Sequence, residues 1–484
     1  MNLKELLNGI EFIEIKGNDN IEVAELSFDS RTTGKNNLFF AVHGEKTDGH
    51  NFIDSAIDNG AVAIVCEQFP ETLNTKICYV RVKSAGQAMG KIASIFYGEP
   101  SKKLKLVGIT GTNGKTTTAT LLYRLFKSLG YKAGLLSTIA IYVDDERLET
   151  SHTTPDAITI NSLLKKMLDA GCDYCFMEVS SHSIVQGRVA GLHFRGGIFS
   201  NITHDHLDYH KTFDEYIKAK KTFFDTLPPE AFALINIDDR NAGVMVQNTR
   251  ASVHRYALSS PADFMCRIVE HTFEGMNLNI DGTEVWLQFV GKFNASNLLS
   301  VYAAANLLGK EKNEILTLLS LMRPVSGRFE SLLLNTGVMA IIDYAHTPDA
   351  LKNVLDAINE VRNDGGNLIT VVGCGGNRDK TKRPEMARIG LENSDKLILT
   401  SDNPRYEKPE TIIEDMKAGL TSMQLSKTLC ITNRREAIKT ALMLAGKGDI
   451  VLIAGKGHEN YQDVEGVKHH FDDREVVQEF NSAC

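Results

Sequence analysis

Short apolar runs alternate along this chain with stretches whose apolar positions recur every three or four residues. Near the start, VAELSFDSR and NNLFFAVHG predict strands, and HNFIDSAIDNGAVAIVCE predicts a helix running into a strand. The turn residues Gly98-Glu-Pro-Ser101 break that pattern. KLKLVGIT then reads as an apolar strand that enters a glycine loop and the helical pattern TTTATLLYRLFKSLG, with Gly130 as its C-cap. Alternation continues through DYCFMEVSS, RGGIFSNIT, EAFALINID and the helix FNASNLLSVYAAANLLG, until MRPVSGRFE supplies turn residues and a boundary near Pro324. The tail repeats strand and helix from VMAIIDYA to DIVLIAGKG, the signature of a doubly wound, mostly parallel sheet.

The expectation is an α/β protein of three domains, residues 1–99, 100–324 and 325–484. Length agrees, since 484 residues at roughly 100 to 200 per domain gives about three. Hydrophobic content of 43%, charged content of 24% and 11 prolines exclude disordered and fibrous classes. A formal charge of -8 offers no general basic surface, so nucleic acid is not an expected partner. The start, MNLKELLNGIEFIEIKG, lacks the apolar stretch of a signal peptide, and no run of about 18 apolar residues follows. A cytoplasmic protein without a membrane anchor is expected. Eight scattered cysteines suit reduced thiols, with Cys172-x-x-Cys175 as a buried structural pair.

Chemistry first shows at Gly108-Ile-Thr-Gly-Thr-Asn-Gly-Lys-Thr-Thr117. Between strand and helix, glycines let backbone N–H groups curl around phosphate oxygens, while Lys115 adds a point charge and Thr116 a hydroxyl for Mg²⁺. The strict phosphate-loop spacing fails because Ile109 fills the first glycine slot. Glu178 closes a predicted strand, where a carboxylate would face the crevice beside that loop. SNITHDHLDYH crowds His204, Asp205, His206, Asp208 and His210 into seven residues, which suggests metal or phosphate chemistry. Alternate residues of an extended segment face opposite ways, and His206 is the chosen ligand. Lys220, in YIKAKKTFF, reads from spacing alone as part of a solvated helix face. In the tail, NLITVVGCGGNR, KLILTSDNPR and DIVLIAGKGHE each run from strand to polar loop, so Arg378, Asp402, Asn403, Arg405, Gly455 and Glu459 can converge on one small zwitterion.

Taken in order, GITGTNGKTTT, MEVSSHS, SNITHDHLDYH, GKFNASN, SGRFE and DYAHTP resemble the Mur ligases of peptidoglycan synthesis over the whole chain. GCGGNRDKTKRP, SDNPRYE and AGKGHE are similar to the members that add the third residue to UDP-N-acetylmuramoyl-L-alanyl-D-glutamate. The resemblance implies an N-terminal domain for the UDP end, a central ATPase domain, and a Rossmann-like C-terminal domain for the amino acid. ATP would phosphorylate the D-glutamate γ-carboxylate, and an amine would displace phosphate from the acyl phosphate.

By the same resemblance Lys115, Glu178, His206 and Lys220 are catalytic. Thr116, Glu178 and His206 hold Mg²⁺, and Lys220 is carbamylated to bind a second ion. ATP would lie on Gly111, Thr112, Asn113, Gly114, Lys115, Thr116 and Thr117, with Asn294, Arg328 and Asp343 at its adenine, phosphates and ribose. Thr153, Thr154, Ser180, Gln186 and Arg188 would hold the muramoyl dipeptide, and Ser30 with Glu45, Lys46 and Thr47 the uridine side. His152 stands where some relatives carry asparagine. The sequence Asp402-Asn403-Pro404-Arg405, with Arg378, Gly455 and Glu459, implies meso-diaminopimelate, whose second carboxylate needs a cation with fork geometry. A monomer is expected. A lysine-adding relative, a folylpolyglutamate synthetase and a nucleotide switch or kinase are the competing readings; DNPR and GKGHE oppose the first two, the histidine cluster and third domain the last.

Overall fold

The computed structural model describes residues 1–44, 47–148, 153–203, 205, 207–362 and 365–483. Three sheets follow one another along the chain. The first has five strands in the spatial order Glu14–Lys16, Cys78–Arg81, Ala61–Cys66, Asn37–Phe40, Glu25–Ser27, all parallel to their neighbours except the first. Leu38, Phe40, Ala63 and Val65 turn one face towards Ala88, Met89 and Ile92 of the helix Ala85–Phe96.

The second sheet has eleven strands, with Lys105–Thr110 near its centre between Tyr174–Glu178 and Gly196–Phe199, parallel to both. Only Lys105 of that strand is exposed, as expected for a parallel strand covered on both faces. On one face, Leu121, Leu122, Leu125 and Phe126 of the helix Lys115–Ser128 meet Val107, Phe176 and residues of the helix Lys292–Leu307, itself buried around most of its circumference. Each such fully buried leucine or phenylalanine contributes about 1.5–3 kcal/mol. Gly130 closes the first of these helices, its φ of 85° letting its N–H reach the Lys127 carbonyl at 3.0 Å. At one edge the sheet runs out into the antiparallel ribbon Phe264–Thr272, Gly275–Ile280, Thr283–Leu287, which the hydrophobic pattern did not suggest.

The third sheet is the doubly wound one: Glu330–Leu333, Met339–Asp343, Ile450–Ala454, Leu368–Val372, Lys396–Leu399, Thr428–Cys430, parallel after an antiparallel first strand. Apolar layers cover both faces. Parallel pairing brings Asp343, Gly373, Thr400 and Gly455 to one edge, the carboxyl ends of four strands, where ligands of such sheets bind. Among the described residues no helix is long and apolar enough to cross a membrane.

Candidate functional site

A cleft of about 2050 Å³ takes lining residues from all three sheets. At its centre the phosphate loop packs tightly against the segment after Gly196–Phe199 and against the helix Lys292–Leu307. Gly111 has φ 153° and a Cβ there would stand 2.0 Å from Ser200 Oγ; Gly114 has φ 87°, and its Cβ would stand 2.4 Å from Asn297 Oδ1. Only glycine fits at either place, which explains the loop's composition despite the irregular spacing. Lys115 folds back so that Nζ donates to the Gly111 and Thr112 carbonyls at 2.9 and 2.8 Å. Thr116 Oγ1 donates to Glu178 Oε2 at 3.0 Å and accepts from Arg328 Nη2 at 3.1 Å, and Glu178 Oε1 accepts the Thr138 N–H at 2.7 Å. Glu178 is buried at the end of its strand.

Lys220 corrects the solvated-face reading. It is 1% exposed on the helix Phe213–Asp225, with Nζ donating to the Gly111 carbonyl at 2.8 Å and lying 4.7 Å from the Tyr216 ring. Burial first, then the neighbouring Lys115, pushes its amine well below the usual lysine range, against an opposing pull from Asp205. Burial likewise lowers Lys115, while Glu178 and Asp205 hold it up. His204 and His206 lie outside the described residues, as do His152, Glu45 and Lys46. His210 is buried against Ser181 Oγ at 2.9 Å.

One wall of the cleft joins the second sheet to the third. Asn113 Nδ2 and Thr203 Oγ1 both donate to Asp349 Oδ2, at 2.8 and 3.2 Å, and the Arg328 guanidinium lies 4.5 Å over the Tyr344 ring. Asp343 accepts the Phe329 N–H at 2.7 Å; burial pushes its carboxyl up to about 6, with Arg328 opposing. Asn297 lines the cleft, whereas Asn294, one turn earlier, is buried with Nδ2 on the Val290 carbonyl at 2.8 Å.

Towards the first sheet, Arg188 donates to the Thr154 carbonyl at 2.7 Å and to Gln186 Oε1 at 2.9 and 2.6 Å, while Ser180 caps the helix Ser181–Val185. Thr153, Thr154, Ser180, Gln186, Arg188, Ser30 and Thr47 all face the cleft.

At the far end, acids and guanidiniums divide a polar pocket. Glu459 Oε2 accepts from Asn403 Nδ2 at 2.8 Å and Lys456 Nζ at 3.1 Å, and burial followed by Asp402 pushes its carboxyl up. A Cβ on Gly455, at φ 118°, would stand 2.6 Å from Asp402 Oδ2. Arg405, at φ 53°, sends Nη1 to the Gly376 carbonyl at 2.8 Å and lies beside Asp463. Arg378, Asp402, Asn403, Arg405, Gly455 and Glu459 line the cleft; Pro404 faces a smaller hollow behind it. Such a pocket suits an ammonium at the acids and carboxylates at the arginines. Sequence reasoning passed over Lys382, whose Nζ donates to the His346 carbonyl at 2.9 Å on the cleft wall, and Asp349, although both stand within or beside the motifs TKRP and DYAHTP.

Three family models match in chain order: "Mur ligase family, catalytic domain" over residues 22–97, "Mur ligase middle domain" over 109–305, and "Mur ligase, glutamate ligase domain" over 327–457. The UDP-N-acetylmuramoyl-L-alanyl-D-glutamate–2,6-diaminopimelate ligase of Phocaeicola vulgatus is 56% identical over 479 residues, 99% of each chain. A solved structure of a ligase of the same name is 32% identical, covering 100% of this chain and 99% of its own with a TM-score of 0.70. MurF ligase of Thermotoga maritima, solved in complex with ADP, shares the fold at 19% identity, 95% and 97% coverage and a TM-score of 0.62. With a glycine-built phosphate loop, a buried carboxylate and lysine beside it, and this likeness from end to end, the chain belongs to the Mur ligase family.

Proposed function

We propose that the cleft joins meso-diaminopimelate to the D-glutamate γ-carboxylate of UDP-N-acetylmuramoyl-L-alanyl-D-glutamate, consuming ATP, in peptidoglycan precursor synthesis. The observation that carries the reading is one continuous cleft with a phosphate loop at its centre and a pocket of paired acids and arginines at its end. A reaction that uses ATP and a nucleotide-linked substrate belongs in the cytoplasm.

A carboxylate is a poor acyl donor, so a γ-carboxylate oxygen first attacks the γ-phosphorus and ADP leaves. The amine then adds to the carbonyl carbon of the acyl phosphate, and the tetrahedral intermediate expels phosphate. Lys115 and the loop N–H groups hold the phosphates, and Arg328 reaches the same point from the third sheet. The hydroxyl of Thr116 and the carboxylate of Glu178 are the hard oxygen donors Mg²⁺ prefers, 3.0 Å apart and buried. When bound, Mg²⁺ neutralises charge building up between the γ-phosphate and the carboxylate. Burial depresses the basicity of the Lys220 amine and so eases loss of its proton. The neutral amine adds CO₂, an N–C bond forms, a proton leaves, and the side chain becomes a carboxylate able to hold a second ion. Arg188 and Gln186 orient the dipeptide, and Asp402 and Glu459 receive the ammonium of the amino acid.

The deciding assay measures phosphate release with ATP, Mg²⁺ and the UDP-muramoyl dipeptide, adding diaminopimelate or lysine. Release with diaminopimelate alone is expected. Release without any amino acid would favour a nucleotide switch, and release with lysine a lysine-adding ligase.

Asp343 gives a pH prediction. Its carboxyl is ionised above about 6 and protonated below, and only the carboxylate accepts from both ribose hydroxyls without donating a proton of its own. Lowering pH from 7.5 to 5.5 reduces the ionised fraction about fourfold for a group of that pKa, so KM for ATP should rise about fourfold. In Asp343→Asn the part of the pH dependence due to this group should vanish; an unchanged profile in steady-state kinetics counts against the role.

A further inference from the structure

Arg383 does not reach the cleft, yet it is the most heavily bonded cation behind the amino-acid pocket. It stands in the first turn of the helix Lys382–Glu392 and is 0% exposed. Nη1 donates to Glu407 Oε2 at 3.0 Å and to Asp415 Oδ2 at 2.8 Å; Nη2 donates to Glu407 Oε1 at 2.9 Å and to the Gly375 carbonyl at 3.3 Å. One guanidinium thus ties together the loop after Leu368–Val372, the loop after Lys396–Leu399, and the helix Pro409–Lys417.

Those two loops carry the two arginines of the pocket. Gly375 is three residues before Arg378, and Glu407 two residues after Arg405. The loops lie backbone on backbone: Gly376 N–H donates to the Asn403 carbonyl at 2.9 Å, Tyr406 N–H to Asn377 Oδ1 at 3.0 Å, and a Cβ on Gly376 would stand 1.9 Å from the Pro404 carbonyl oxygen. Each loop also holds a non-glycine residue in the left-handed region, Asn377 at φ 52° and Arg405 at φ 53°. Such conformations persist only where surrounding bonds over-determine them. Glu407 supplies those bonds on the Asn377 side, accepting its N–H and pairing with Lys380 Nζ at 3.2 Å. The Arg383 guanidinium beside it, the first of several causes, holds the Glu407 carboxyl down at about 2, so the clamp stays ionic at any working pH.

We propose that Arg383 is a positioning residue for the amino-acid substrate, whose clamp on Glu407 and Gly375 sets the separation of Arg378 and Arg405 and thereby the discrimination of a dicarboxylate from a monocarboxylate amino acid. The inference rests on the diaminopimelate reading above. A lysine at 383 keeps the charge but, as a point donor, cannot hold both oxygens of Glu407 together with Asp415 and Gly375.

The test is steady-state kinetics on Arg383→Lys and, in case that variant does not fold, Glu407→Gln, which keeps the volume and loses the charge. In each, KM for diaminopimelate should rise about tenfold to a hundredfold, the loss expected for one charge-assisted bidentate pair. Preference for diaminopimelate over lysine should fall in parallel, with KM for ATP and for the UDP-dipeptide within about twofold of wild type on the same scale. Unchanged KM and preference in a folded variant overturn the clamp alone, and so does an equal rise in all three KM values. A wild-type enzyme that does not use diaminopimelate overturns the underlying reading, and the clamp as stated with it.

Discussion

Replacing Lys220 by methionine should lower turnover about a thousandfold, or ~4 kcal/mol of barrier, while raising the melting temperature. The two effects have one physical origin. A lysine 1% exposed, whose Nζ bonds a single carbonyl at 2.8 Å with Lys115 beside it, is a poorly compensated buried amine. A buried polar nitrogen held by a single hydrogen bond carries a desolvation cost that an apolar side chain of similar length does not. Methionine therefore relieves the fold and deletes the amine on which the proposed carbamate would form. The check is phosphate release at saturating substrates together with calorimetry. A fall in turnover with a lower melting temperature would mean that Lys220 is structural, and retained turnover would remove it from the chemistry.

How far the sequence could carry this is visible at the same residue. The three lysines of YIKAKKTFF, Lys220 among them, suggested a wet helix face, but Tyr216, Lys220 and Phe224 recur every four residues, and that row is the buried one. The spacing was legible and the lysine run drew attention from it. The phosphate loop was readable because strand, glycines and helix are local in sequence. So were the strands of the third sheet, whose near-continuous apolar runs mark parallel strands covered on both sides. The ribbon from 264 to 287 was missed because exposed and buried positions interleave along it, Met265 and Val269 among the exposed ones, and apolar and polar residues mix. Asp281-Gly282, at φ 48° and 83°, was its one strong turn signal. Asp349 on Asn113 and Arg383 on Glu407 were beyond reach for another reason. Their partners lie 236 and 24 residues away, and no periodicity encodes such a pairing.

Arg405→Ala should cut kcat/KM for diaminopimelate at least about a hundredfold and leave that for lysine, already poor, nearly unchanged. The two amino acids share an ammonium and carboxylate at one end and differ by a carboxylate at the other. Asp402 and Glu459 line the cleft, and in the proposed reading they receive the shared ammonium, so truncating Arg405 leaves that contact in place. The distal carboxylate would instead enter a pocket short of one guanidinium, beside Asp463, whose carboxylate lies 3.9 Å from Arg405 Nε in the intact protein. Losing one partner of a buried charged pair costs about 3–5 kcal/mol, more than a hundredfold in kcat/KM, because the other charge stays desolvated. Arg405→Lys should recover only part of the loss, since an ammonium offers no fork and the backbone at φ 53° remains to be held. Equal losses with diaminopimelate and lysine would place Arg405 at the shared end of the substrate. Selective loss places it at the distal carboxylate, where the fourth residue of Asp402-Asn403-Pro404-Arg405 decides which amino acid receives the activated acyl group.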